Sequence, residues 1–182
     1  MQIKKELLTV NQYSRPGSAV RAVTALVIDS RGGESALGVR NTFEEQKAGG
    51  TGYGSVHYVI DVSGEILQCI PEDEVGYHCR SRKYTTFARS LFGTLATSDL
   101  SSPDFYTIAV LLCRSSGAAG LSNDTFYAAV ELAACLCRRY HLDPGFQITT
   151  HRSIVGPEAP PCYWMDHPGE FQRFVYSVTR LL

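Results

Sequence analysis

The chain has 182 residues, of which 44% are hydrophobic and 19% are charged. These proportions fit one globular domain with a good-sized core and leave too little length for two domains of ordinary size. The formal net charge of -1 gives no sign of the positive surface typical of proteins that bind nucleic acid or anionic membranes, so we expect neither as a partner.

The N-terminal segment contains two lysines but no apolar stretch long enough for a signal peptide, and no membrane-spanning run follows it. We therefore expect a protein that is cytoplasmic as synthesised and that needs another route of release if it acts outside the cell. Several of the six cysteines lie within apolar runs, so most are predicted to be reduced core residues.

Residues 1–20 are predicted to form an extended lead-in, and residues 21–182 the folded domain. Residues 22–28 are all apolar or β-branched, which predicts a strand buried on both faces. Asp29 follows this strand and places a carboxylate where open α/β sheets keep their binding crevices. The alternative for Asp29 is a strand-end residue that is hydrogen-bonded to the turn at 30–33.

A helix is predicted over residues 35–46, and the glycine-rich segment 48–54 after it is typical of a flexible rim. Residues 55–61 and 65–70 flank a Val-Ser-Gly turn, which predicts a β-hairpin. His57, in the first strand of this hairpin, is expected to be structural.

The chain after the hairpin places Tyr77 and His78 in a predicted loop. Residues 80–103 are polar and irregular, which is typical of a functional lid or of a disordered rim. An apolar strand is then predicted over residues 105–113, and a capped amphipathic helix over residues 122–140.

Residues 148–162 have the pattern most typical of a functional site. A short β-branched run ends in His151, and a glycine and three prolines then lead through a predicted loop to Cys162. Imidazole and thiolate both bind zinc, but a catalytic zinc site also needs a third protein ligand and an open position for water. Without a metal, His151 would bond to a backbone carbonyl and Cys162 would be a plain loop thiol.

A last helix is predicted from Asp166 onward, with proline in its first turn. The order of the elements predicts the α/β class, as a single domain with a central mixed β-sheet flanked by helices. Tyr77 and Trp164 are candidates for binding sugar rings and peptide in a groove, and packing in the core or at the rim is the alternative for both.

This order of elements resembles the type-2 N-acetylmuramoyl-L-alanine amidases, a family that shares its fold with the peptidoglycan-recognition proteins. The resemblance covers residues 22–176 and rests on the strand before Asp29, the hairpin block through His78, the strand at 106–113 and the Thr-His-Arg triplet at 150–152 with its cysteine loop. It implies the type-2 amidase fold, a zinc cofactor, and peptidoglycan or muropeptide fragments as partners. The hairpin block looks like members from Firmicutes and their phages, which implies a prophage endolysin.

The resemblance also implies a set of site residues. The first zinc ligand of the family, a histidine, falls on Asp29, and the second falls on His151. The third is usually a cysteine followed by proline, whereas here the prolines come before Cys162. Cys162 either takes that role with a shifted loop or is a different residue altogether. His78 matches a family histidine at the cleft and is the implied catalytic residue for proton transfer.

Two further positions depart from the family pattern. Leu111 stands where many active members have a glutamate, and Val56 stands where some have a tyrosine. Each change removes a charge or a proton carrier, so the implied active site is degenerate.

Three functions remain open at this point. The first is a zinc-dependent amidase that hydrolyses the bond between N-acetylmuramic acid and L-alanine. The second is a pseudoenzyme, which binds muropeptide or another partner without cleaving it. In the third, Cys162 acts as a nucleophile close to His151.

Overall fold

The computed structural model describes residues 1–50, 52–98, 101–117, 120–159 and 162–182. The strands within these ranges are β1 (Ile3–Lys5), β2 (Ala25–Gly32), β3 (Tyr58–Ile60), β4 (Ile66–Gln68), β5 (Thr107–Arg114) and β6 (Ile148–Thr149). The α-helices are α1 (Ala36–Glu45), α2 (Thr86–Ala96), α3 (Asn123–Tyr140), α4 (Pro144–Gln147), α5 (His151–Val155), α6 (Tyr163–Asp166) and α7 (Pro168–Arg180). Within the described ranges, none of these helices has the length and apolar character that a membrane span requires.

The strands form one mixed sheet in the order β1-β4-β3-β5-β2-β6. The predicted hairpin, β3 with β4, is the antiparallel pair, and the other neighbours pair in parallel. The two longest strands, β2 and β5, lie next to each other and pair along their whole length. The predicted class, a mixed sheet flanked by helices, is therefore confirmed.

Alternate residues of β2 and β5 pack into two separate cores. Leu26 and Val110 belong to the core that contains residues of α3 and α7. Val27 and Ala109 belong to the opposite core, which contains residues of α1, α2 and α5. Because side chains alternate between the two faces of a strand, Asp29 is directed to the same side as Val27.

The structure differs from the sequence prediction in the lead-in and in the segment 80–103. Part of the predicted lead-in forms β1, which pairs in parallel with β4. Residues 80–103, predicted to be irregular, contain α2, which is capped by the Thr85 side chain and kinked at Gly93 (φ 80°). Residues 99 and 100 of that segment lie outside the described residues.

The segment after β6 also differs from the predicted loop. Thr150 caps α5 by accepting a hydrogen bond from the Ser153 backbone amide, so that His151 is the first residue of a short helix. The threonine hydroxyl favours a short helix of this kind, because it satisfies a free amide of the first turn. Pro160 and Pro161, on which part of the loop prediction rests, lie outside the described part of the chain.

Aromatic side chains join α7 to the sheet. Phe174 is fully buried, and its ring lies 5.6 Å from that of Trp164 and 6.0 Å from that of Phe126. The indole nitrogen of Trp164 donates a 3.0 Å hydrogen bond to the backbone oxygen of Ile28. Trp164 therefore fixes α6 beside the end of β2.

Substitution of Phe174 by alanine should lower the free energy of unfolding by about 3–5 kcal/mol, because it removes a fully buried ring and leaves a cavity. Denaturant unfolding measures this change. Tyr176, on the same helix but 65% exposed, provides the control, and Tyr176→Ala should change the value by less than about 0.5 kcal/mol. Equal effects of the two substitutions would contradict the packing described.

Candidate active site

A cavity of about 570 Å³ lies at the carboxyl ends of β2 and β5, where the sequence predicted a binding crevice. The residues around it come from both strands, α1, the segment before β3, the loop after the hairpin, α5 and the residue before α6. They are Val27, Asp29, Ser30, Arg31, Gly32, Phe43, Gly54, Ser55, Val56, Tyr77, His78, Ala109, Val110, Leu111, Arg114, His151, Arg152 and Cys162. Five of the six predicted site residues therefore line one cavity.

The sixth predicted site residue, Trp164, lies elsewhere. It is 3% exposed and packs in the core formed with α3 and α7, because its indole bonds to the sheet. The structure therefore does not bring it to the cavity wall with Tyr77.

Asp29 lines the cavity. Its two carboxylate oxygens lie in different environments. Oδ2 accepts a 2.9 Å hydrogen bond from the backbone amide of His151. Oδ1 is buried and has no hydrogen-bond partner of ordinary geometry among the described residues. Burial raises the pKa of the Asp29 carboxyl to about 6, and the hydrogen bond from the His151 amide and the nearby Cys162 thiol oppose that rise. One oxygen is thus held in place, and the other is available to a ligand.

Cys162 is brought to Asp29 by the fold of α6. It is the residue before that helix, and the bond from Trp164 to Ile28 fixes the helix next to the residue that precedes Asp29. The side chain is only 8% exposed. Burial, and secondly the charge of Asp29, raise the pKa of the Cys162 thiol, so a nearby cation is needed to favour the thiolate.

His151 contributes a half-buried imidazole from the first turn of α5. Burial lowers the pKa of this histidine, which favours the neutral ring that binds metals. The next residue, Arg152, donates a 2.9 Å hydrogen bond to the backbone oxygen of Ala159. This bond ties α5 to the chain that leads to Cys162.

Asp29, His151 and Cys162 line one cavity, but they are not the most closely grouped set of metal-binding atoms. Among the residues that the structure describes, the group whose ligand atoms all lie within 4.8 Å of one another is His78, Cys79 and Asp104. The spacing of this second group is compatible with a metal ion.

Both carboxylate oxygens of Asp104 in this second group already accept hydrogen bonds, however. Asp104 is 1% exposed, and its Oδ1 accepts from the backbone amides of His78 (3.0 Å) and Cys79 (2.6 Å). Its Oδ2 accepts from the Ser102 hydroxyl at 3.0 Å. Burial raises the pKa of the Cys79 thiol well above its ordinary value, which keeps the thiol protonated. We therefore interpret this group as a buried hydrogen-bonding network beneath the cavity.

The hydrogen bonds of His78 define its tautomer. The Thr107 hydroxyl donates to the backbone oxygen of Pro103 (3.0 Å), so it must accept from Nε2 of His78, which lies at 2.7 Å. Nδ1 therefore carries no hydrogen, and it is buried without a hydrogen-bond partner in the described part of the chain. Burial, and secondly the charge on His151, lower the pKa of His78 to about 3. His78 is thus a neutral imidazole with a bare Nδ1.

His57 supports this arrangement from below. It is fully buried, its Nδ1 accepts from the backbone amide of Ala109 (3.1 Å), and its Nε2 donates to the backbone oxygen of Glu74 (2.9 Å). Burial lowers its pKa to about 4. Both ring nitrogens are used, which agrees with the predicted structural role.

An apolar side chain stands beside Asp29. Leu111 pairs with Asp29 in the register of β2 and β5, and paired residues of parallel strands share a face. Leu111 and Val56 both line the cavity. The two positions where the resemblance implies a glutamate and a tyrosine thus form apolar wall next to the carboxylate.

The sequence prediction missed three arginines at the cavity. Arg31 and Arg114 lie at the ends of β2 and β5, and Arg152 follows His151. Arg31 pairs with Glu34 at 3.1 Å, and the Arg114 guanidinium lies 5.2 Å from the centre of the Tyr163 ring. All three arginines lie at or just after the end of a strand, and this position is the sequence signal that could have found them. A net charge near zero gives no sign of positive charges that are grouped at one cavity.

Comparison with known proteins gives matches along nearly all of the chain. A sequence model described as N-acetylmuramoyl-L-alanine amidase matches residues 19–164. A probable N-acetylmuramoyl-L-alanine amidase of Bacillus licheniformis is 29% identical over 186 residues, which cover 100% of this chain and 48% of that protein. The N-acetylmuramoyl-L-alanine amidase BlyA of Bacillus subtilis (strain 168) is 25% identical over 169 residues, which cover 92% and 44%. The chain spans about half the length of these curated relatives.

Solved structures show the same fold. The structure of PlyL superimposes with a TM-score of 0.70 at 17% identity, covering 98% of this chain and 97% of PlyL. The PlyG catalytic domain gives a TM-score of 0.71 at 16% identity, covering 99% and 94%. The predicted type-2 amidase fold is therefore confirmed.

The buried carboxyl of Asp29 should make the stability of metal-free protein depend on pH. Its pKa of about 6 lies above the ordinary value of 3.8, so folding favours the protonated form and stability falls as the pH rises between these values. Asp29→Asn removes this cost. With chelator present, the variant should gain roughly 1–3 kcal/mol of unfolding free energy over the native chain between pH 4 and pH 7.5. A difference that is the same at both pH values would contradict the assignment.

Proposed function

We infer that this chain, which belongs to the N-acetylmuramoyl-L-alanine amidase family, hydrolyses the bond between N-acetylmuramic acid and L-alanine in peptidoglycan. One observation carries the proposal: Asp29, His151 and Cys162, from three separate parts of the sequence, line the same cavity. Peptidoglycan or muropeptide fragments are the proposed partners, and the cell wall is the proposed place of action. An endolysin of this type is the corresponding biological role.

The three residues fit a zinc ion by the chemistry of their donor atoms. They supply one oxygen, one nitrogen and one sulfur, all of which are common zinc ligands. The buried Oδ1 of Asp29, without a hydrogen-bond partner among the described residues, supports this fit. A catalytic zinc site combines three protein ligands with an open position, and the cavity leaves space for water and substrate beside these donors.

A zinc ion bound there would polarise the substrate carbonyl and lower the pKa of a water molecule to about 7. The protein holds its ligands ready for this role. The backbone amide of His151 fixes Oδ2 of Asp29 at 2.9 Å, and burial keeps the His151 ring neutral. The bond of Arg152 to Ala159 restrains the segment before Cys162.

His78 is the proposed proton carrier. Its ring belongs to the cavity wall, and as a neutral imidazole it would accept the proton of the attacking water and donate it to the departing nitrogen of L-alanine, so that the product leaves as an amine. The carboxylate of Asp104 lies 3.7 Å from Nδ1 of this ring. Tyr77, at the wall of the cavity, is the proposed contact for substrate.

A binding module without hydrolysis is the second candidate. It is favoured by Leu111, which places an apolar side chain beside Asp29 where the resemblance implies a glutamate. It is also favoured by the spacing of Asp29, His151 and Cys162, whose ligand atoms are not grouped within 4.8 Å of one another. Such a module would hold muropeptide in the same cavity and leave it intact.

Metal analysis and a peptidoglycan hydrolysis assay separate the two candidates. Protein purified without chelator should contain one zinc per chain, and chelation should abolish hydrolysis. His151→Ala and Cys162→Ser should each lower hydrolysis at least about 100-fold, because each removes a ligand. Cys135→Ser is the control, since this half-buried cysteine lies on α3 and does not line the cavity.

The hydrolase proposal fails if zinc-soaked native protein contains no metal and releases no product while it still binds muropeptide. That result would support the binding module.

His78→Asn should lower the turnover number by about 10²–10⁴-fold while the zinc content stays unchanged, because the substitution removes the proton carrier but no ligand. His141→Asn is the matched control. His141 ends α3 in the left-handed conformation (φ 56°), which asparagine tolerates. Steady-state kinetics on soluble muropeptide would measure the effect, and a His78→Asn variant as active as the control would remove His78 from the mechanism.

A further inference from the structure

The helix that carries His151 is too short to be stable by itself. α5 has five residues, and isolated helices shorter than about 12 residues are marginal in water. Two acceptors hold its first turn, since the Asp29 carboxylate bonds to the His151 amide and the Thr150 hydroxyl bonds to the Ser153 amide. The carbonyl groups of its last turn have no partners within the helix, so they need donors from outside it.

Thr85 supplies these donors at the C-terminal end of α5. Its hydroxyl donates a 2.6 Å hydrogen bond to the backbone oxygen of Ser153, and its amide donates a 2.9 Å hydrogen bond to that of Ile154. The amide of Gly156 donates to the backbone oxygen of Arg152. Three consecutive carbonyl groups are thus bonded, two of them by the one residue Thr85.

The Thr85 hydroxyl also caps the start of α2. While it donates to Ser153, it accepts a 3.1 Å hydrogen bond from the backbone amide of Ala88. A hydroxyl has one hydrogen, and here that hydrogen is used on α5. The start of α2 and the end of α5 are therefore joined through a single oxygen atom.

Apolar packing anchors the residues around Thr85. Tyr84 is 8% exposed and Ala88 is fully buried, and both belong to the same core as Ile154 and Val155 of α5. This packing brings the two helices together but is not directional. Hydrogen bonds are directional, so the bonds of Thr85 determine how α5 is oriented at this contact.

We propose that Thr85 is a positioning residue for His151, because it holds the end of α5 and so keeps the imidazole at the active-site cavity. This assignment rests on the proposed function, in which His151 is a zinc ligand. Thr85 does not line the cavity, so it acts through α5 and not on the substrate. Without its hydroxyl, the Ser153 carbonyl and the Ala88 amide lose this partner, and α5 is held firmly at its first turn only.

Amide hydrogen exchange of the full chain with chelator present tests whether Thr85 holds α5. Thr85→Val keeps the shape of the side chain and the backbone bond to Ile154 but removes the hydroxyl. The amides of His151 and Ser153 should then exchange about ten-fold faster than in the native chain, the factor that corresponds to one lost hydrogen bond. The amides of β2 and β5 should keep their native rates. Faster exchange in α2 alone would mean that Thr85 only caps α2, and it would overturn the proposal.

Zinc binding to the same variants gives the second readout. Thr85→Val should bind zinc about 10–100-fold more weakly than the native chain, the loss typical of residues that orient a metal ligand. Thr85→Ser restores the hydroxyl and should recover both the zinc affinity and the exchange rate of the His151 amide. Thr86→Val is the control, since Thr86 is the next residue of α2 and is exposed, and it should change neither value. Native zinc affinity in Thr85→Val, or a loss that the serine variant does not recover, would overturn the proposal.

The two proposals fail in different ways. A native chain that binds no zinc and hydrolyses no peptidoglycan would refute the hydrolase, and the exchange rate of the His151 amide would still decide whether Thr85 holds α5. Hydrolysis by a zinc-loaded native chain, together with native exchange and native zinc affinity in Thr85→Val, would refute only the role of Thr85.

Discussion

The hydrogen bond from the backbone amide of His151 to the carboxylate of Asp29 determines the geometry of the candidate site. It joins the end of β2 to the start of α5, just after β6 has paired with β2. A side chain at position 29 that could not accept this bond would leave a helix amide unsatisfied and would release the imidazole from its place. The same aspartate thus organises the backbone around the cavity and offers its second oxygen to a ligand.

The second constraint is the polar layer beneath the cavity. His57, His78 and Asp104 are almost completely shielded from solvent, and each is held by backbone or hydroxyl groups. Buried polar groups are costly unless they are paired, so the filled hydrogen bonds fix the tautomers of both histidines. The exception is Nδ1 of His78, which is bare and belongs to a residue of the cavity wall.

The long apolar patterns of the sequence predicted the main strands and helices. Two helices that the sequence prediction missed, α2 and α5, begin after a residue whose side chain caps them. The buried strands and α3 have long apolar patterns, and the two strands of the hairpin flank a clear turn. In contrast, α2 is interrupted by the non-helical backbone of Gly93, and its start depends on the hydroxyl of Thr85. The helix that begins at His151 depends in the same way on Thr150. The resemblance named four residues of the cavity wall, and aromatic character named a fifth, Tyr77. Neither showed that Trp164 packs in the core or that Thr85 joins α2 to α5, because both depend on tertiary packing.

The central claim is that an acid, an imidazole and a thiolate hold one metal ion in the active-site cavity. X-ray absorption spectroscopy at the zinc edge measures the ligand atoms directly. The account predicts one sulfur at about 2.3 Å, with nitrogen and oxygen neighbours at about 2.0–2.2 Å, and loss of the sulfur contribution in Cys162→Ser. A spectrum without sulfur in the native chain, or one whose sulfur signal survives in Cys162→Ser, would contradict it.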